Sequence, residues 1–375
     1  MNRRGHALLI ALLGLLLLEV VVAGTMAIGT SERLLSAARV RQLRARLAAE
    51  SGVRAALASW DAVHYGALPV GGSASAGSGA LPGATFDATV VRRAADFFEV
   101  RANGTVPGPS GASASARAAA IVAGIPRPAL WTQFAAAAAL GGLAIPDSLV
   151  VDGLQAGALP PGFSAADCPP DALTELAASN ASLAVPGVVL APAASPGSRL
   201  QVSGAPPILP DPALPDSADP GLAGIALGEL RLIADRVMAG AVSIGPANTA
   251  AACDTMAASN WGVPDPAAAC GGWLPLVYAP SHLHITGGRG QGVLVVDGDL
   301  TMDPGVEFHG AILVAGTVRA PDLRLFGAIR APSAAPHELG GVIHFNACSL
   351  WRAFALSPGV GRPFRVGPRW WIPSF

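Results

Sequence analysis

Between Ala7 and Ile28 the chain runs for 22 residues with a single ionisable side chain, Glu19, the rest being apolar, Gly or Thr. As a helix rising 1.5 Å per residue, this run spans roughly 30 Å, the hydrocarbon thickness of a bilayer. Arg3 and Arg4 precede it, as in an N-terminus retained on the cytoplasmic side. Ser31 to Trp60 contains no Pro and one Gly, Gly52, and is rich in Ala, Leu, Arg and Glu. These are good helix formers, so the chain reads as one helix of about 50 residues, half in lipid and half in water.

Three accounts of this N-terminus compete. It is a cleaved secretory signal cut near Ala23 or Ala27, a signal anchor, or a prepilin-type leader that ends at Gly5 and is cut before His6. Secretory signals carry apolar cores of roughly 7 to 15 residues. The run here is longer and lacks a clean small-x-small site before a turn, which favours the third account.

Arg4-Gly5 before the apolar run, Ser31-Glu32-Arg33 after it, and then Arg41-Gln42-Leu43-Arg44-Ala45-Arg46-Leu47-Ala48-Ala49-Glu50-Ser51-Gly52 carry a resemblance. The stretch resembles the N-terminus of PilX-type type IV pilus assembly proteins, which are minor pilins. It is similar also to the large minor pseudopilins of type II secretion, which share the Ala-Glu-x-Gly pattern. The resemblance implies a structural, non-enzymatic subunit without cofactor. It implies as partners other pilin or minor pilin subunits and inner-membrane assembly proteins. The implied location is a single pass of the inner membrane with the C-terminal domain in the periplasm, or incorporation in an extracellular pilus. The Glu that most pilins carry five residues after the cleaved Gly falls on Ile10 here. Glu19 is then the one intramembrane charge, and the cost of burying it marks a functional or helix-packing role.

Composition narrows the chemistry. With 375 residues, 51% hydrophobic and 13% charged, the chain holds enough apolar material for two domains beyond the helix. A net charge of −1 argues against a nucleic-acid partner, which requires clustered basic residues. All 24 basic residues are Arg, which excludes a phosphate-loop lysine, a Schiff-base lysine and a Ser-Lys dyad. Arg33, Arg39, Arg41, Arg44 and Arg46 follow the apolar run and would invert the topology by charge count alone. Leader-first insertion, which the resemblance implies, overrides that count. Cys168, Cys253, Cys270 and Cys348 fit disulfides of an oxidising compartment. A Cys253–Cys270 pair is favoured, and the pairing of Cys168 and Cys348 is left open. No C-x2-C spacing supports zinc.

The rest of the chain reads as α+β. Residues 1–5 are a basic leader, 6–62 the transmembrane and extended helix, and 66–83 a flexible Gly/Ala/Ser linker. Residues 84–125 form a small antiparallel sheet with strands at Thr85–Val91, Phe97–Arg101 and Arg117–Val122 and turns at Arg93–Ala95 and Asn103-Gly104. That this sheet packs against the helix is what the resemblance to pilins implies. Residues 126–350 read as a β-solenoid, parallel β-helix-like, with strand pieces at Ser148–Val151 and Val188–Leu190 and helices at Asp171–Ser179 and Leu227–Met238. Its signature is self-similarity: Gly292-Val-Leu-Val-Val-Asp-Gly298-Asp-Leu300 aligns with Gly310-Ala-Ile-Leu-Val-Ala-Gly316-Thr-Val318 at a spacing of 18, and Gly327-Ala-Ile329 follows 17 later. Leu276-Val277-Tyr278 reads as a copy 18 earlier. Gly298 and Gly316 are expected at equivalent corners with φ > 0. This block also resembles the C-terminal region of many PilX-like proteins. Residues 351–375, with Trp351, Trp370 and Trp371, read as an aromatic cap on the open solenoid end, or as a contact patch for a partner subunit.

Enzyme motifs are incomplete. His337-Glu338 begins like a zinc-protease helix without its second His. His282, His284, His309 and His344 could cluster on neighbouring coils. Asp297, Asp299 and Asp303 suggest Ca²⁺ or the paired carboxylates of a polysaccharide-cleaving β-helix, yet the spacing is not that of a calcium loop and a Gly corner favours Asp for its turn chemistry. The sequence thus points to a pilus or pseudopilus component acting by subunit assembly at a tip or initiation complex. The alternatives are a membrane-anchored β-helix acting on polysaccharide and a surface adhesin or scaffold.

Overall fold

In the computed structural model, residues 3–108, 111–146, 148–154, 159–168, 170–180, 184–192, 199–214, 221–246, 248–249, 252–365 and 371–372 are described. They fall into two compact units, one drawn from 1–60, 64–122 and 365–375, the other from 61–63 and 123–364.

In the first unit a single helix, α1 (Arg3–Ala58), covers 56 residues without a break, as its lack of Pro requires. The short α2 (Ala62–Gly66) follows. Four antiparallel strands then lie in chain order: β1 (Ser73–Leu81), β2 (Ala84–Arg92), β3 (Phe97–Pro107) and β4 (Ser113–Ala123). Trp371–Ile372 adds antiparallel to β4.

The C-terminal half of α1 turns a stripe of small residues to the sheet. Ala45, Ala48, Ala49, Val53 and Ala56 recur at helical spacing and are fully buried. Their size lets the helix lie close to the sheet. A Cβ on Gly52 would come within 2.8 Å of that of Ala102, and one on Gly104 would overlap the main chain of Ala45 and Ala49.

Two expectations are corrected here. Residues 66–83 are not wholly a linker, because 73–81 is the edge strand β1, joined to β2 through Pro82 and Gly83, the latter at φ +72°. Its Ser, Ala and Gly side chains leave no hydrophobic alternation to read, and pairing with the apolar β2 supplies the order. Nor is Asn103-Gly104 a turn. The Asn103 amide donates to Asp87 of β2 at 2.9 Å, and Gly104 sits where β3 meets α1. Gly104→Val is accordingly expected to cost the first unit about 3 kcal/mol by overpacking. Faster amide exchange in β2 and β3 measures it, while Leu47→Val on the exposed side of α1 leaves exchange unchanged.

The second unit carries α3 (Arg127–Gln133), α4 (Pro170–Asn180), α5 (Leu227–Leu230), α6 (Ala347–Leu356) and α7 (Pro358–Gly361) around a sheet of 14 strands among the described residues. In chain order the strands are β5 (Ala138–Leu140), β6 (Leu143–Ala144), β7 (Leu149–Asp152), β8 (Val188–Leu190), β9 (Leu200–Ser203), β10 (Ile208–Pro210), β11 (Arg236–Val237) and β12 (Gly240–Ile244). A separate hairpin, β13 (Asn248–Thr249) and β14 (Ala252–Cys253), intervenes. The large sheet resumes with β15 (Leu276–Ala279), β16 (Leu283–Val296), β17 (Leu300–Met302), β18 (Glu307–Val314), β19 (Val318–Ala331) and β20 (His337–His344).

Among the described residues the strand pairings of the large sheet are all parallel and form three rows. One runs from β15 through the ends of β16, β18 and β19 to β5, β8 and β10. A second joins β12, the start of β16, β17 and the start of β19. The third joins the middle of β16, the start of β18, the middle of β19, the end of β20, β7 and β9. Gly292, Gly310 and Gly327 lie in register at φ +111°, +135° and +152°, where the chain turns from the third row into the first. The apolar positions that follow each of them, including Leu294, Val295, Ile312, Leu313 and Ile329, are buried as one core.

Four details depart from the sequence reading. Leu276 pairs with Val293, a spacing of 17 and not 18. All four residues of β15 are buried, so no alternation marks the register. Gly298 and Gly316 are equivalent, with Gly316 N–H donating to Gly298 C=O at 3.0 Å, but φ is positive at neither. They are small because a Cβ on Gly298 would come within 2.8 Å of the Ser281 carbonyl carbon, and one on Gly316 within 2.6 Å of that of Gly298. The helix read over Leu227–Met238 ends at Leu230. Leu227, Leu230 and Ile233 are buried as the spacing requires, but Asp235 binds Leu276 N–H at 2.9 Å and Gly359 N–H at 2.8 Å, and Arg236–Val237 becomes strand. Finally, 351–375 is not one cap. Trp351 belongs to α6, which is capped by Asn346 accepting from Ser349 N–H at 2.8 Å and packs along β16, β18 and β19, whereas Trp371 joins β4. Trp370 lies outside the described residues.

Candidate functional site

The N-terminal half of α1 is apolar on every side and uncovered. Leu12, Leu13, Leu15 to Leu18, Val20 to Val22 and Met26 are all exposed, Leu18 by 65%. A helix of this kind is stable only in lipid or among other apolar helices. Glu19 is exposed within it, the only charged side chain between Leu12 and Ser31. Gly5 and His6 lie in the first turns of α1, and the His6 side chain falls outside the described residues. Among the described residues this is the one helix long and apolar enough to cross a membrane. Beyond it the arginines interleave with acids, Arg46 bonding Glu50 at 3.1 Å across one helical turn, so this segment suits water.

The second unit places the other candidates in structural positions. Asp299 caps a corner: its Oδ1 accepts from Thr317 N–H at 2.7 Å and from the Thr317 hydroxyl at 2.8 Å. The Thr317 backbone bond, reinforced by the hydroxyl, holds the Asp299 carboxyl below its ordinary range. His282 accepts from Asp299 N–H at 3.0 Å, and His337 from Val318 N–H at 3.1 Å, so each side chain satisfies a backbone donor of a neighbouring turn of chain. Asp297 accepts from the Tyr278 hydroxyl at 3.3 Å, and His284 pairs with Asp303 at 2.8 Å. His337-Glu338 stands in β20, a strand, and not on the helix that a zinc-protease motif requires. Among the described residues no three His, Cys, Asp or Glu side chains converge to hold a metal. Cys253–Cys270 and Cys168–Cys348 are disulfides, with Cα separations of 4.9 and 5.3 Å.

The densest charged group escaped the sequence reading. Arg289, Glu307 and Arg324 lie in register on adjacent strands. Glu307 accepts from Arg289 at 2.6 and 3.0 Å and from His309 Nε2 at 3.1 Å, with Arg324 at 3.6 Å. The His309 bond, with Arg289, outweighs burial and takes the Glu307 carboxyl down to about 2. Burial drives His309 the other way from protonation, lowering its pKa. We assign it as the neutral Nε2–H tautomer, since its buried Nδ1 has no partner. Phe163 stacks on His309 at 5.9 Å, and Phe326 lies 4.6 Å from the same ring, tilted by 31°. The signal was available: Arg289, Glu307 and Arg324 each stand three residues before the repeated glycines 292, 310 and 327. The charges of this cluster are paired with one another.

Comparison with family models, curated proteins and solved structures finds no match to this chain.

Proposed function

We propose that the protein is a non-enzymatic, minor-pilin-like structural subunit of a type IV pilus or related pseudopilus. It acts by docking its apolar helix among those of other pilin subunits and inner-membrane assembly proteins. The observation that carries this reading is the continuity of α1: an apolar half with no covering partner among the described residues runs unbroken into a half seated on a four-stranded sheet. A passive anchor needs no rigid continuation. A subunit that must hold its outer domain at a fixed height above a helical bundle does. In this reading the chain crosses the inner membrane once, with its outer units in the periplasm or on an extracellular filament. The second unit is a β-solenoid, as its 17- and 18-residue registers favour. Too bulky for a regular filament, it places the subunit at a tip or initiation complex. Deleting the gene is expected to reduce surface fibres, with full-length protein restoring them. A soluble periplasmic protein whose deletion leaves piliation normal contradicts the proposal.

A further inference from the structure

On the outer side of β5, β8 and β10, beside α3, lies a cavity of about 380 Å³, within the size range of small-molecule sites. Ala139, Val185, Val189 and Leu209 give it an apolar lining, and Arg330 and Asp211 bring its two charges. Arg330 stands in β19 between the buried Ile329 and Ala331, in register with Ala139, so its side chain leaves on the face opposite the core. Its Nε is inaccessible to solvent and unpartnered. No hydrogen bond or ion pair within 4.0 Å reaches its guanidinium among the described residues, and burial lowers its pKa against the opposing attraction of the Asp211 charge. Arg352 and Arg236 also leave a buried Nε unpartnered, but each donates from elsewhere on its guanidinium: Arg352 to Gly271 C=O at 2.8 Å and Arg236 to Asp235 C=O at 2.8 Å. An arginine N–H taken out of water without an acceptor is costly, and the cavity beside Arg330, whose side chain is part-buried, has room for one.

We propose that this cavity binds a small monocarboxylate carrying a short branched alkyl group. The carboxylate takes the guanidinium of Arg330 in a two-pronged pair, and the alkyl group lies on Ala139, Val189 and Leu209. Asp211 selects the charge. Its Oδ1 accepts from Ala213 N–H at 2.9 Å, and it makes no ion pair with Arg330 within 4.0 Å, yet its charge faces the same space and repels a dianion.

Titration of the full-length protein in detergent with 3-methylbutanoate tests this, by calorimetry and saturation-transfer NMR. Saturable 1:1 binding is expected, with 3-methylbutanamide and inorganic phosphate each at least about tenfold weaker, since a charge-assisted pair contributes about 1.5 kcal/mol or more. Arg330→Met should lose about tenfold by the same reasoning with an unchanged melting temperature. Ala139→Leu fills the floor and should abolish binding with Arg330 intact, which keeps the test decisive if Arg330→Met fails to fold. Asp211→Asn should retain the carboxylate and admit phosphate. Absence of saturable binding, equal binding of the amide, tighter binding of phosphate, or an Ala139→Leu protein that binds normally would each overturn the proposal.

Discussion

Gly310→Val is expected to destabilise the second unit by about 4 kcal/mol, combining a strained left-handed backbone with overpacking. At φ +135° a branched side chain is strained whatever the space around it. There is no space: a Cβ there would overlap the Gly292 carbonyl and come within 3.2 Å of Ala353 on α6. Because Gly292, Gly310 and Gly327 are stacked in register, displacing one carbonyl disturbs the turn of chain on either side. Gly305→Ala is the control. It too has a positive φ, +85°, but open space around it, so only the backbone term of about 1 kcal/mol remains. Denaturant unfolding followed by the near-ultraviolet signal of the buried Trp131 and Trp261 separates the two. A Gly310→Val protein as stable as Gly305→Ala would mean that the glycine ladder is not what spaces the strands.

Acid is expected to unfold the second unit through Glu307. Its folded pKa of about 2 lies below the ordinary 4.5, so folding favours the ionised form. The stability this contributes is fully present above pH 4.5 and is lost as pH falls toward 2. Its size is on the order of 3 kcal/mol, the carboxylate being largely shielded from solvent. His309 adds to the same trend, since a buried imidazole that stays neutral in the fold must be charged in the unfolded chain below pH 6.5. Glu307→Gln is expected to cost on the order of 3 kcal/mol at pH 7 by removing the carboxylate that His309 and Arg289 hold ionised, and to flatten stability between pH 4.5 and 2. Urea midpoints at pH 7 and pH 3 measure both. Equal pH slopes in the two proteins would assign the acid lability elsewhere.

How far the sequence carried depended on whether a residue's reason for being there was local. The 56-residue α1 was legible because helix formers and an apolar run suffice to specify it. The alignment of the glycines at 292, 310 and 327 was legible because each turn of chain repeats the same pattern at a spacing of 18 or 17, although the positive φ was expected at Gly298 and Gly316 instead. Strand β1 was hidden since Ser, Ala and Gly carry no hydrophobic period, and only its pairing with β2 orders it. The order of the large sheet was hidden for a different reason. β5, β6 and β7 come first in the second unit, yet they pair with β19 and β20, nearly 200 residues later, so no repeat in the sequence announces them. The same distance effect left the Cys168–Cys348 bridge undecided, while the 17-residue span of Cys253–Cys270 was readable. At the candidate sites, Asp299 was expected to serve the turn of its own Gly corner, but its carboxyl bonds Thr317, 18 residues on, and Arg330 gave no sign of the cavity, whose lining comes from α3, β5, β8 and β10 together.

The assembly account rests on the first residues of α1, and mass spectrometry of the mature N-terminus tests it most directly. A subunit of the pilin type begins at His6, cut after Gly5, with the apolar run intact. A mature chain that begins after Ala23 or Ala27 has lost the helix on which docking depends, and would contradict the account.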